Sequence, residues 1–456
     1  MLSLVLTSLA CSTLTTALLG TPTPLPTSTS TATHTATFTP SPSPTATATP
    51  TPTAFPTLTA APTFTQLALT ATLDAAAQRR HSRIFERLWS TVNTSYVYPD
   101  FNGHDWQAIG ADYRARVQAR QSDDEFYVTM ASLIAELDDE HSGFESPEEV
   151  ADSDRALAGS NDYAGIGVIA AFHADKGYVS IVVTFEGSPA EQAGLEPHDR
   201  ILAVDGLSLL GADGLLHTEL IRGAAGATLT VTVQTPGGLP RDVPLVRAQI
   251  TGPVPIDYWL VPETRIAYIL IPTLFDDTIP DQVENALREL SAGGLLEGVI
   301  LDNRRNDGGA TSIGERLLGL FTGGLVGHFR SRTGFRSVYV DARDVAGSQT
   351  VPLAVLVGPD TVSYGEISSG VLQDQARAAI VGDRTLGNLE VLWPFNIEGG
   401  SRAWIAVERF DPIVTEEDWE VTGIVPDVMA PAEWDEISGT DDPGLQAAVA
   451  MLQDSH

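Results

Sequence analysis

The period of the apolar positions changes along the chain, and each change marks a different kind of structure. From about residue 72, Ile84, Phe85, Leu88, Trp89 and Val92 recur at the spacing of one helix face. A second helix is expected from Asp105 through DWQAIGADYRARVQA. A third, SDDEFYVTMASLIAELDDEHSGF, opens on Ser122 with Glu125 as its capping-box partner and ends near Asp138–His141. Over 160–250 the runs shorten to strands broken by Gly, Pro and Asp turns, which predicts a small β-rich module with two helices. From 253 onward strands and amphipathic helices alternate: RIAYILIPTLF, DQVENALRELSAG, LEGVILDNRR, SIGERLLGLFTG, VPLAVLVGP, SYGEISSGVLQDQ and ARAAIVGDR. That order predicts an α/β sheet with right-handed crossovers. GLQAAVAML supplies a final helix.

Two stretches fit none of these periods. MLSLVLTSLA is a short apolar run ending at Cys11, the only cysteine, with no Lys or Arg before it. It reads either as a lipoprotein signal, with Cys11 the lipidated residue, or as an ordinary secretory signal with an incidental cysteine. Residues 20–71 are nearly all Thr, Pro, Ser and Ala, with almost no charge and little to bury. Such a segment is expected to be a disordered stalk, and it argues for an extracytoplasmic protein, secreted or held at the cell surface. The one cysteine rules out an internal disulfide.

The chain has 456 residues and a formal charge of −33. Its length suits about two or three domains. So acidic a chain repels nucleic acid and anionic headgroups, which leaves a lipid on Cys11 as its route to a membrane. Its nine histidines show no metal-ligand spacing, and there is no phosphate-binding or dinucleotide motif, so no cofactor is expected.

In an α/β sheet, ligands bind beyond the carboxyl ends of the strands. Two segments fall there, GPDTVSYGE and DNRRNDGG. In the first, Ser363 sits where a strand turns into a helix, a place suited to an exposed nucleophile and equally to a plain helix cap. In the second, Gly308–Gly309 can form a backbone anion site or a simple left-handed turn. Ser363 needs a base. The single lysine, Lys176, is far away in sequence, which brings the histidines into question.

Several local patterns together resemble one family, the serine peptidases that include the tail-specific (C-terminal processing) proteases and the tricorn core protease. LDDEHSGF (137–144), ILDNRRNDGG (300–309), TVSYGEISSGVLQD, IVGDRTLGN and GIVPDV (423–428) are similar to its motifs and stand in its order. The block YAGIGV…GSPAEQAGLEPHDRILAVDG is similar to the PDZ domain found in many members. The resemblance covers roughly 80–435. It implies an α+β multidomain protein: a helical part of the protease domain (72–150), a β-rich PDZ-like domain (155–250), an α/β, crotonase-like protease core (253–435) and a C-terminal helix (436–456), behind a signal (1–19) and the stalk (20–71).

Where the tail-specific branch has its catalytic lysine and glutamine, this chain has Asn388 and Leu392. The tricorn-like branch uses serine, histidine and glutamate, which maps onto Ser363, His141 and Glu420. Glu416, Glu417 and Asp418 stand close enough to compete with Glu420, and His141 could instead serve a helix C-terminus. The resemblance further implies an oxyanion hole from the N–H groups of Gly308, Gly309 and Tyr364. Asp307 replaces the frequent proline of that turn and would harm catalysis if it pointed inward. Glu366 is expected to cap its own helix. The loop Gly165-Ile166-Gly167-Val168 would capture a peptide's terminal carboxylate, or belong to a degenerate PDZ that only packs on the core. The expected activity is a cofactor-independent endopeptidase acting on extended or unfolded polypeptides; the alternative is an inactive peptide-binding scaffold on the same fold.

Overall fold

The computed structural model describes residues 75–454 apart from 120, 140, 158–162, 174, 212–213 and 440. The expected signal, Cys11 and the stalk lie outside the described residues.

The centre is a six-stranded sheet ordered Asp257–Leu260, Ile266–Leu270, Gly298–Asp302, Leu353–Val357, Ala379–Gly382 and Val428–Met429. Its first pair is antiparallel and the rest are parallel. The three strands from Ile266 to Val357 are buried at every position, as befits a parallel sheet covered on both faces. Alternate residues serve opposite layers. Ala267, Ile269, Val299, Leu301, Val355 and Val357 pack with Val283, Leu287, Leu317 and Val371, from the helices Ile279–Ser291, Thr311–Gly319 and Tyr364–Asp374. Ile266, Tyr268, Ile300, Ala354 and Leu356 pack with Trp434, Leu445, Ala448 and Leu452. The last three of these belong to or adjoin the final helix, Pro443–Asp454.

A second, antiparallel sheet interrupts the expected alternation. It comprises Gly143–Glu145, Gly324–Ser331, Gly334–Val340, Val391–Asn396 and Arg402–Asp411. The helices Ala75–Ser95, Trp106–Gln118 and Asp123–Ala135 pack on it through Ile84, Leu88, Phe126, Met130, Ala403 and Ile405. Their starts are as expected. The Asp105 side chain accepts from the N–H groups of Gln107 and Ala108, and Ser122 and Glu125 form the capping box.

The β-rich module is a sheet ordered Val168–His173, Tyr178–Thr184, Arg200–Val204, Thr228–Gln234 and Arg241–Val246. Its two expected helices shrink to a four-residue helix, Pro189–Gln192, and a 3-10 turn, Thr218–Leu220. The module is tied to the segment before the final helix. Asp435, fully buried, receives Lys176 Nζ at 2.9 Å and the Tyr178 hydroxyl. Arg200 donates to the Asp435 carbonyl at 2.8 Å, and the Trp434 indole donates to the Ile181 carbonyl at 3.0 Å. The only lysine is therefore committed to a structural ion pair and cannot serve Ser363.

Candidate active site

Two strand-end turns meet beyond the carboxyl edge of the central sheet. The turn after Gly298–Asp302 is held by its own side chains. Asn306 Oδ1 accepts from Gly308 N–H (3.0 Å), and Asn306 Nδ2 donates to Asn303 Oδ1 (3.1 Å). The segment carrying Ser363 is tied to that turn. Val362 N–H donates to the Asn306 carbonyl (2.9 Å) and the Thr361 hydroxyl to the Asn303 carbonyl (2.9 Å). Behind them lies a buried ion cluster. The Arg304 guanidinium spans Asp302 (2.6 Å) and Asp442 (2.6 Å), and Asp442 Oδ1 also accepts from Gly444 N–H at the start of the final helix (2.9 Å).

Ser363 has φ 55° and ψ −122°, a backbone region that a residue with a Cβ avoids. A simple helix cap sits in the β-region, so the strain marks this serine as more than a cap. Gly308 lies against it: a Cβ on Gly308 (φ 78°) would fall 2.7 Å from the Ser363 Cβ. A Cβ on Gly309 (φ 150°) would fall 2.0 Å from the Leu274 carbonyl. Both positions therefore require glycine. Gly308 N–H is spent on Asn306. Among the described residues, no hydrogen bond engages the N–H of Gly309 or Tyr364, so only these two of the three expected donors are left for an anion. Asp307 does turn inward. Its Oδ1 is buried without a hydrogen-bond partner, and burial pushes its carboxyl up to about 7 against the pull of Thr273 and Arg305.

His141 and Glu420 come together across 279 residues of chain, with Nε2 2.9 Å from Oε1. The structure adds a residue the sequence reading missed. Glu390 Oε2 lies 2.7 Å from the same Nε2, its side chain more buried than that of His141, and its other oxygen accepts from the Tyr98 hydroxyl at 3.0 Å. Burial opposes charge on His141, yet hydrogen bonds and charge from both glutamates raise its pKa well above 6.5. Burial, with Glu390 beside it, pushes Glu420 up to about 7. Glu390 is held below the usual carboxylate value, against the same burial penalty, by its close approach to His141 and Glu420. The two carboxylates thus favour the protonated form of the His141 imidazole. The donor atoms of the three groups lie within 4.8 Å of one another, so they could also hold a divalent cation.

One short loop separates this cluster from Ser363. Glu366, fully buried, accepts from Gly387 N–H and Asn388 N–H (2.8 Å each) and from Ser363 N–H (3.3 Å). Besides capping its helix, it fixes the loop that carries Asn388. Glu420 Oε2 accepts from Leu389 N–H (2.8 Å), and the next residue is Glu390. No hydrogen bond among the described residues joins Ser363 to His141 directly.

In the β-rich module, Gly165–Val168 links two strands, and the Tyr163 hydroxyl occupies it, taking Val168 N–H at 3.1 Å. Val168–His173 is an edge strand of its sheet, but Ala171 and Ile169 face the core layer around Trp434.

Residues 265–430 match the profile of peptidase family S41, residues 78–135 the tricorn protease C1 domain and residues 185–235 the PDZ domain. The chain is 27% identical to a carboxyl-terminal-processing protease of Synechocystis sp. over 84% of this chain and 89% of that one. It is 29% identical to the chloroplastic C-terminal processing peptidase of Tetradesmus obliquus over 80% of each. Among solved structures, the photosystem II D1 C-terminal processing protease superposes with a TM-score of 0.55 at 26% identity, covering 82% of this chain and 97% of that one. Residues 265–430 therefore carry a peptidase family S41 domain. The chain is a serine peptidase with a PDZ domain, similar along most of its length to the C-terminal processing proteases.

Proposed function

We propose that the protein is an exported endopeptidase that cuts extended or unfolded polypeptides, in the manner for which its C-terminal-processing relatives are named, through Ser363, His141 and Glu420. The observation that carries this reading is the strained backbone of Ser363, packed on Gly308 at the mouth of the strand-end turn. Ser363 Oγ attacks the peptide carbonyl. The carbonyl oxygen becomes an anion received by the N–H groups of Gly309 and Tyr364, with Gly308 shaping the turn. Nε2 of His141 is engaged by two carboxylates, which leaves Nδ1 to take the serine proton and pass it to the leaving amine. Substrate binding has to bring Oγ and Nδ1 to about 3 Å. Glu420 and Glu390 stabilise the imidazolium, and water then releases the acyl group from Ser363 by the reverse proton route.

At the PDZ domain, an extended peptide adds to the edge strand Val168–His173. A terminal carboxylate at the Gly165–Val168 loop has to displace the Tyr163 hydroxyl, so Tyr163→Phe should tighten such binding; unchanged affinity removes the loop from peptide capture. The signal, the stalk and Cys11 support export, with Cys11 as the residue to be lipidated. Mass spectrometry of the mature N-terminus checks this, and an unmodified Cys11 in the mature protein sinks the anchor. No helix among the described residues is long and apolar enough to cross a membrane.

The deciding experiment is fluorophosphonate labelling and cleavage of unfolded casein by wild type, Ser363→Ala and His141→Ala. Wild type should label and cleave, and both variants should lose cleavage by at least about a thousandfold. A wild type that does neither supports the inactive scaffold instead. Full activity in His141→Ala breaks the proposed triad.

A further inference from the structure

A cavity of about 400 Å³ opens between the loop after the first helix and the second sheet, walled by Tyr98, Pro99, Arg330, Arg332 and Arg409. Three arginines stand in its wall, in a chain of net charge −33. Arg330 pairs through Nε with Asp411, while Arg409 pairs through Nη1 with Asp418 (2.8 Å) and lies 3.5 Å from Asp411. Arg332 has no carboxylate partner among the described residues. Its Nη1 and Nη2 donate to the carbonyls of Asn93 (2.6 Å) and Pro99 (3.3 Å), and its guanidinium lies 5.0 Å from the Phe101 ring centre. It is fixed in place with its charge uncompensated. No hydrogen bond among the described residues uses Nε of Arg332, Nη2 of Arg409 or either Nη of Arg330. These unspent donors line a concave space of the kind that selects an anion.

The cavity also adjoins the candidate active site. Tyr98 lines it and donates its hydroxyl to Glu390, which lies against His141. Tyr98 therefore joins the wall of the cavity to the carboxylate beside the proposed base. The loop in the PDZ domain that would take a carboxylate already has Val168 N–H occupied, whereas the arginine donors are open.

We propose that this cavity binds a carboxylate of the polypeptide substrate and so selects chains carrying an acidic side chain, or a free carboxyl end, near the bond to be cut. The proposal rests on the peptidase reading above and adds a specificity pocket to it. Phosphate has no place in that reading, and carboxylate–guanidinium pairing is the chemistry these arginines already display with Asp411 and Asp418.

Binding is measured by fluorescence anisotropy on the full chain bearing Ser363→Ala, so that nothing is turned over. The probe is a fluorescein-labelled Ala/Leu/Ser peptide in four forms, with a free or amidated carboxyl end and with an internal Asp or Asn. A carboxylate-bearing form should bind about tenfold more tightly than its uncharged counterpart, and the pair that shows the difference identifies the source of the carboxylate. Arg332→Gln should abolish the preference. Arg330→Gln, at a more exposed position, should reduce it and serves if Arg332→Gln fails to fold, as judged by thermal melting. The proposal is overturned if the four forms bind alike or not at all, or if the preference survives in both variants. Turnover plays no part in this readout, so failure here leaves the peptidase reading intact. Failure of wild type to cleave casein would remove that reading without touching a measured carboxylate preference.

Discussion

Asp307→Asn should stabilise the protein, and by an amount that depends on pH. The wild-type carboxyl has Oδ1 buried and unpartnered beside Gly308, and burial pushes it from 3.8 up to about 7. An acid raised by folding keeps its proton after the unfolded chain has lost it. Its contribution to stability therefore falls as pH climbs from about 4 to about 7 and is level above that. At about 1.4 kcal/mol per pH unit the full loss is about 4 kcal/mol. The residue as a whole is only half-buried, so about 2–4 kcal/mol is the expected range. Asparagine keeps the shape and carries no titrating proton. Urea unfolding of wild type and variant at a series of pH values between about 4 and 9 reads the difference directly. The variant's advantage should be near zero at pH 4, grow through pH 5 and 6, and flatten above 7. An advantage that does not change with pH, or a variant less stable than wild type at pH 8, would refute the account of a buried, proton-holding carboxyl.

Three further outcomes follow from the site. His141 is raised by two glutamates, and the proposed base must be neutral, so kcat/KM should rise with pH with its acid limb above 6.5; the stabilisation from the imidazolium is complete below about 6.5 and lost as pH passes the raised value. A limb at or below 6.5 contradicts the cluster. Glu390→Gln removes one of the two charges beside Nε2 and should lower kcat about tenfold to a hundredfold, leave KM unchanged and move the acid limb to lower pH; an unmoved limb makes Glu390 a bystander. Gly309→Ala forces a Cβ to within 2.0 Å of the Leu274 carbonyl at φ 150° and should cost about 2–4 kcal/mol in thermal or urea unfolding along with most of the activity, whereas a variant that folds and cleaves normally would show that the turn is not held as described.

The central sheet and its helices were legible because their periods are long and clean and their starts carry caps, as at Asp105 and Ser122. The second sheet was not. Gly324–Ser331 and Gly334–Val340 are rich in Gly, Arg and Ser, and much of Gly334–Val340 faces solvent. Arg402–Asp411 does alternate buried and half-buried residues along much of its length, and that period of two was available to be read. His141 and Glu420 could be paired from motifs because each stands in its own signature. Glu390 has no signature. It is one acid among many in an acidic chain, and its meaning comes from Tyr98, 292 residues earlier. The loss of Gly308 as an anion donor was equally invisible, since it depends on which way the Asn306 side chain turns.

Arg304 ties the turn behind Ser363 to Asp442 at the head of the final helix. On a growing chain, everything through Glu420 can be complete while this arginine still lacks one of its two buried carboxylates. The turn behind Ser363 then has a cation beneath it that Asp302 alone must hold. The wall formed by Leu445, Ala448 and Leu452 is missing too. A nascent or truncated chain ending before residue 442 should therefore be silent as a protease, and cleavage begins only once the last helix has docked.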